Sequence, residues 1–305
     1  MTPRHPLPPS LLTGPFLARD AMLARGRLRG RDLTAPFAGT RDLAEAEASL
    51  LRLCRAFALR MPPRSFFCGP TAAGLMQIPL PVGQPWLPLH IGVRAGERRI
   101  EAAGIHAHHL TLRDGDLTLS AGLALTSPER TWCDLAGSLT LPQLVSAGDF
   151  LLWRRKPTTS LVRLETAVAQ FPGRRGPRML RLALPLISDR SDSPPESEIR
   201  IAILQAGLPA PDVNEPVRNA LGQFVARPDL SWRRFRVALE YEGDHHRRDR
   251  IQWAEDIRRI NALQLINWIA IRAHSPDYRD PAELIHKLRT ALMAGGWDGN
   301  PIRHW

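Results

Sequence analysis

Between Arg227 and His246 the chain reads RPDLSWRRFRVALEYEGDHH, placing Asp229, Glu240, Glu242, His245 and His246 within 18 positions. Strand side chains alternate with period two. A strand over Arg236–Glu242 therefore sets Val237, Leu239 and Tyr241 on one face and Ala238, Glu240 and Glu242 on the other. With Asp229 on a neighbouring strand over Gln223–Trp232, three carboxylates that repel one another are gathered. A hard divalent cation such as Mg²⁺ would remove that repulsion, because it takes oxygen ligands from one or two carboxylates and completes its shell with water and phosphate. A solvated outer strand face would carry the same residues, and at this level both readings stand.

Those residues must be positioned by flanking elements. Ser193 is placed to cap a helix, with Pro194 and Pro195 in its first turn and Glu196 completing a capping box, so Glu196 has a structural role of its own. Ile199, Ile203 and Leu204 face inward, and Gly207 ends that helix before Pro209. After the hairpin, Trp253, Ile257, Ile260 and Leu263 mark an amphipathic helix over Asp249–Leu265 that carries Asp256 and Arg259 on a neighbouring stripe. Ile266–Ile271 is nearly continuous apolar sequence, which suits a buried central strand. Ala282–Met293 forms a last helix.

Helix, hairpin, helix, strand, helix is the core order of the PD-(D/E)XK nuclease superfamily. The segments ESEIRIAILQAGLP (196–209), RPDLSW (227–232), ALEYEGDHH (238–246) and DIRRINAL (256–263) resemble relatives of the very-short-patch-repair endonuclease over about residues 191–290. That resemblance implies a DNA endonuclease in which Asp229 and Glu240 hold Mg²⁺ or Mn²⁺ at the scissile phosphate. It also implies His246 as general acid–base, Glu196 as a helix carboxylate reaching a metal-bound water, and Asp256 and Arg259 as supporting groups. Glu242 stands where the common motif has lysine and this branch has aspartate, so it supplies no positive charge. His245 is a neighbour without a role.

The 305 residues suggest more than one domain, and 44% apolar with 23% charged residues is ordinary globular composition. No run approaches the ~18 apolar residues of a membrane span, and MTPRHPLPPS lacks an apolar signal core, so a cytoplasmic protein is expected. Cys54, Cys68 and Cys133 have neither metal-ligand nor disulfide spacing and read as buried thiols.

The formal charge of +11 is uneven. Residues 191–305 hold 16 Lys+Arg and 16 Asp+Glu, so the whole surplus lies in residues 1–190. Basic surplus favours a polyanionic partner such as DNA, although arginine richness with only two lysines also follows from base composition alone. Arg25, Arg27, Arg29 and Arg31 cluster in ARGRLRGRDL and are the candidate DNA contacts, against the alternative of a solvated loop.

In residues 1–60 the spacing of Phe16, Ala18, Ala21, Met22 and Leu28 predicts a short helix and its packing partner, a pair compatible with a winged helix. Asp42–Leu59 predicts a stronger helix. Ser65–Met76 reads as helix, Leu87–Val93 as strand with His90 on it, and Ile105–Leu112 as strand bearing His106, His108 and His109. Two histidines two apart on a strand can share a metal, but no cysteine or carboxylate stands near at ligand spacing, and they read as solvated. Leu125–Trp153 is a helical pair and Leu161–Ile187 continues in helix.

TAAGLMQIPLP (71–81), GLALTSPERTWCDLA (122–136) and VSAGDFLLWR (145–154) resemble the AbiE-type antitoxins of abortive-infection systems over roughly residues 10–155. That resemblance implies a DNA-binding regulator with an N-terminal winged helix and a following α/β domain. It leaves open a partner toxin or repair protein. The expected fold is therefore α/β: a winged-helix-like unit (1–60), an AbiE-like α/β and helical domain (61–190), and a restriction-endonuclease-like mixed sheet flanked by helices (191–305), with SDRSDSPP (188–195) as linker. The expected activity is Mg²⁺-dependent DNA cleavage, with a non-catalytic DNA-binding regulator as the alternative.

Overall fold

Ser49 begins the first long helix of the chain: its hydroxyl accepts the Arg52 amide, and α1 (Leu50–Ala58) buries Cys54, Ala56 and Phe57. The computed structural model describes residues 6–242, 258 and 260–305. The chain divides into two units, residues 1–135 with 171–174, and residues 136–170 with 175–305.

In unit 1, β1 (Phe16–Leu17), β2 (Leu33–Thr34) and β3 (Thr40–Leu43) precede α1 and form an antiparallel sheet in the order β1-β3-β2. The helix expected around Phe16–Leu28 is absent. Phe16 and Leu17 instead pair with Arg41 and Thr40, and Met22 is 98% exposed with a φ of 49°. A helix this short is marginal alone, so strand pairing decides the segment. A winged helix needs a helix pair, and the described part of residues 1–60 supplies one α-helix. The stronger expected helix starts later than its apolar stripe suggested, because Asp42 and Leu43 are spent on β3.

A five-stranded mixed sheet follows, ordered β6-β5-β4-β8-β7. Its strands are β4 (Phe66–Phe67), β5 (Leu89–Arg94), β6 (Ile105–Leu110), β7 (Leu117–Ser120) and β8 (Leu123–Thr126), with α2 (Gly69–Leu75) after β4 and α3 (Pro128–Leu135) after β8. The expected Ser65–Met76 helix is thus a strand followed by a helix. Gly69, at φ +50°, makes the turn between them. Phe67, Leu89, Ile91 and Leu125 pack with Phe57 and Ala72 as the core of this unit.

Unit 2 begins with α4 (Leu141–Leu152), α5 (Leu161–Gln170), α6 (Pro177–Ala183) and α7 (Pro194–Gln205). The expected linker 188–195 lies inside this unit and is tied down. Ser188 donates its amide to Asp149 (2.7 Å), and Ser191 is buried. Polar residues that looked solvated satisfy one another as caps and ion pairs. Beside them Arg200 of α7 reaches Asp149 of α4 at 2.8 Å, both buried.

The remainder supplies β9 (Asp212–Val213), β10 (Val217–Arg218), β11 (Phe224–Ala226), β12 (Leu230–Trp232) and β13 (Val237–Glu242). The described part of α8 (260–265), β14 (Ile269–His274), α9 (Ser275–Arg279) and α10 (Ala282–Ala294) complete it. The main sheet runs β14-β13-β12-β9, parallel between β13 and β14 and antiparallel elsewhere. The expected first hairpin strand is interrupted: β11 pairs with β10 in a separate two-stranded sheet, and Arg227–Asp229 leads into β12. Ile266–Ile271 was expected at the sheet centre, but β14 is an edge strand with Ile269 39% exposed, since only β13 pairs with it among the described residues.

Strand β13 explains the alternation seen in the sequence. Val237 and Leu239 face Ile199, Ile203, Leu284, Leu288 and Leu292, from α7 and α10. Ala238 faces Val217, Ala226 and Leu263 on the opposite side. Both faces of the strand are therefore covered at its start. Fully burying each such aliphatic side chain contributes roughly 1.5–3 kcal/mol, so the register of β13 is strongly specified.

Candidate functional site

The covered strand settles one alternative at once. Glu240 is 8% exposed, so it does not lie on a solvated strand face. Asp229 directly precedes Leu230, whose antiparallel partner Leu239 directly precedes Glu240. Asp229 Oδ2 accepts the Tyr241 amide at 2.7 Å, which fixes this carboxylate against β13. Its carbonyl accepts the Asn214 amide at 2.9 Å, closing the other side toward β9.

Asn214 joins this pair to α7. It is buried, has a φ of 50°, and donates its side-chain amide to Glu196 Oε2 at 2.9 Å. Glu196 also accepts from the Asp192 amide (3.0 Å) and the Ser193 hydroxyl (2.7 Å). The capping box expected at Ser193 is present on its Ser193 side, where the hydroxyl accepts the Glu196 amide at 3.4 Å. The returning Glu196 carboxylate takes the amide one residue earlier, at Asp192, instead of Ser193. Burial raises the Glu196 pKa, opposed by these three donors. Asp192 in turn accepts from Trp153 Nε1 (2.9 Å) and Arg227 (3.0 Å), anchoring the loop that carries Asp229.

Glu242, one β-repeat beyond Glu240, has an arginine and an imidazole beside it. In the parallel register Glu240 pairs with Arg272 and Glu242 with His274. Arg272 Nε lies 3.1 Å from Glu242 Oε1, and His274 Nδ1 lies 3.6 Å from Oε2. The positive charge that Glu242 cannot supply is thus present next door, on β14. The three carboxylates Asp229, Glu240 and Glu242 do not converge as one tight ligand group among the described residues. His245, His246, Asp256 and Arg259 lie outside the described residues.

Of the arginine cluster, Arg25, Arg29 and Arg31 are exposed. Arg27 is not available in the same way: its guanidinium bonds Asp32 at 3.1 and 2.7 Å, and its side chain is 11% exposed.

One constellation escaped the sequence reading. Among the described residues, His90, His106 and His108 form the group of three potential ligands whose nitrogens lie within 4.8 Å of one another. Burial and the neighbouring His106 lower the His90 pKa. Burial, His90, His106 and Arg99 lower that of His108 to about 4. Both rings are therefore neutral near pH 7, the form that ligates metals. The H-x-H pair on β6 was visible in the sequence, but the third ligand depended on which strand pairs with β6.

No protein-family model matches the chain, and no solved structure matches it. The chain is similar to the uncharacterized proteins MT2308 and Rv2248 of two Mycobacterium tuberculosis strains, CDC 1551 / Oshkosh and ATCC 25618 / H37Rv. Each is 31% identical over 180 residues, which span 57% of this chain and 65% of the relative's length. The matched region thus covers just under two-thirds of those relatives. No helix among the described residues is long and apolar enough to cross a membrane.

Proposed function

We propose that unit 2 is a divalent-metal-dependent DNA endonuclease of the PD-(D/E)XK type, with Asp229 and Glu240 as the carboxylate ligands of Mg²⁺ or Mn²⁺. The carrying observation is the Asp229 carboxylate fixed to the Tyr241 amide of β13, next to a buried Glu240 on that strand, in a mixed sheet preceded by α7 and followed by α10. The donor set fits the ion, since both side chains offer oxygen and a hard cation needs only one or two carboxylates besides water and phosphate. When bound, such an ion polarises a phosphoryl oxygen and acidifies a water ligand.

The chain's own residues position these groups. Tyr241 N–H orients Asp229, and Asn214 couples it to α7. Arg272, paired with Glu240 in register and bonded to Glu242, is the cation placed to meet developing phosphate charge. Glu242 then serves as its positioning partner. Glu196 holds the turn before α7, and on the family resemblance His246 takes the proton of the attacking water. Arg25, Arg29 and Arg31 supply phosphate contacts that hold DNA without reading its sequence.

Incubation of supercoiled plasmid with full-length protein and Mg²⁺ or Mn²⁺ tests this reading. Nicking that falls at least about a hundredfold in Asp229→Asn and Glu240→Gln is expected. Equal activity in wild type and the double variant removes the enzymatic reading. The alternative, a DNA-binding regulator on a nuclease-like scaffold, is favoured by the saturation of Glu196 and by the ion pairing of Glu242. It predicts sequence-specific gel shifts unaffected by the same two substitutions.

A further inference from the structure

The parallel pairing of β5 and β6 sets His90 beside His106 and Gly92 beside His108. Residues 106 and 108 share a face by strand alternation, so three imidazoles meet on one side of the unit 1 sheet. Their rings stack: His90 lies 5.0 Å from both His106 and His108, and His106 lies 4.5 Å from His108, centroid to centroid. His90 Nδ1 and His108 Nε2 are 2.9 Å apart.

We propose that His90, His106 and His108 form a binding site for one divalent transition-metal ion, zinc for preference, whose fourth position is left to water or a small anion. Zinc–nitrogen distances of about 2.0–2.1 Å at tetrahedral angles put ligand nitrogens ~3.4 Å apart. The His90–His108 pair is joined at 2.9 Å by an N–H···N hydrogen bond, so an ion entering there opens the pair by ~0.5 Å, and the tautomer changes so that both nitrogens present lone pairs. His106, which is exposed, needs to swing inward by up to ~1.4 Å from the 4.8 Å limit of the group. Three neutral nitrogens suit zinc, copper or nickel and not the hard Mg²⁺ assigned to unit 2. They leave the ion's charge uncompensated, and a bound water or anion answers that charge.

The surroundings hold one ligand rigidly and leave space beside it. The His90 amide donates to Thr71 Oγ1 at 2.8 Å, and its carbonyl accepts the Cys68 amide at 3.0 Å. The start of α2 is thereby pinned to His90. His90 also lines a cavity of about 430 Å³ together with Thr71, Gln77, Gln84 and Trp86. A cavity of that size accepts a small molecule. His109, the next residue on β6, points to the other face and bonds the Glu97 carbonyl at 2.9 Å, so it is a natural control.

The test uses untagged full-length protein, stripped with chelator and titrated calorimetrically with Zn²⁺, with Co²⁺ absorption as a spectroscopic reporter. One equivalent of Zn²⁺ at a Kd of about 1 μM or tighter, with the d–d bands of tetrahedral Co²⁺, is expected. His106→Ala weakens binding at least about tenfold and removes the bands, while its circular dichroism stays that of wild type. His109→Ala leaves both readouts unchanged, and so does millimolar Mg²⁺. A wild-type protein that binds no Zn²⁺ tighter than about 0.1 mM overturns the site. So does stoichiometric binding that survives His106→Ala combined with His108→Ala. Plasmid nicking plays no part in these readouts, so this proposal and the nuclease reading fail independently.

Discussion

Removing the Glu196 side chain separates its structural work from any chemistry. The carboxylate is 7% exposed and accepts from Asp192 N–H, Ser193 Oγ–H and Asn214 Nδ2. In Glu196→Ala, Asn214 Nδ2 keeps its other acceptor, the Arg190 carbonyl at 3.0 Å, and Ser193 still accepts the residue 196 amide. The Asp192 amide loses the acceptor given by Glu196. Charge-assisted bonds contribute ~1.5–3 kcal/mol each and an unsatisfied buried donor costs ~1–3 kcal/mol. With one of the three donors, Asn214, keeping another acceptor, the expected loss is about 3 kcal/mol. Glu196→Gln keeps one oxygen for Asp192 and Asn214 and turns its amide nitrogen toward Ser193 Oγ, whose hydroxyl rotates to accept. Its expected loss is about 1 kcal/mol. Urea unfolding followed by circular dichroism, compared at constant slope, reads both values. A loss below ~0.5 kcal/mol for Glu196→Ala, within the usual surface range, would refute the structural argument. A Gln variant as stable as wild type but a hundredfold slower in nicking would move Glu196 into the chemistry.

Three further outcomes follow from buried polar groups. Asp149→Ala leaves the Arg200 guanidinium buried and without this carboxylate, and costs ~3–5 kcal/mol; Asp149→Leu with Arg200→Met recovers most of the loss, and urea midpoints showing no recovery would sink the ion-pair account. Burial raises Asp134 from 3.8 to about 6, and its Oδ2 is buried without a hydrogen-bond partner among the described residues. The folded state holds this proton more tightly than the unfolded chain, so its stabilising contribution is complete below pH ~4 and is lost as pH rises through ~6. Asp134→Asn should flatten stability against pH across that window by up to ~1.4 kcal/mol per unit, and an unchanged profile from thermal melts contradicts the assignment. Cys54, Cys68 and Cys133 are buried free thiols, and burial raises their pKa values, that of Cys54 to about 12. Ellman's reagent should label none of them in the native protein and all three in urea; rapid native labelling of any one would show a thiol that opens to solvent.

Local sequence determined a good deal. The Ser193 cap, the turn at Gly207 and the alternation of Val237 to Glu242 each rest on interactions within a few residues. They are legible for that reason. So was the antiparallel pairing of Leu230–Trp232 with Val237–Leu239, because a hairpin's register follows from its two strands. Tertiary structure decided what depended on distant partners. Phe16 and Leu17 entered a strand because Thr40 and Arg41 were there to pair with them. The polar run at 188–195 became an anchored turn because Asp149 and Arg227 reach it from 39 and 35 residues away. Glu242 found Arg272 and His274 through a parallel pairing with β14, a contact that no local pattern encodes. His90 joined His106 and His108 in the same way. In both cases parallel neighbours are brought together by a crossover, so the chain between them carries no record of the register.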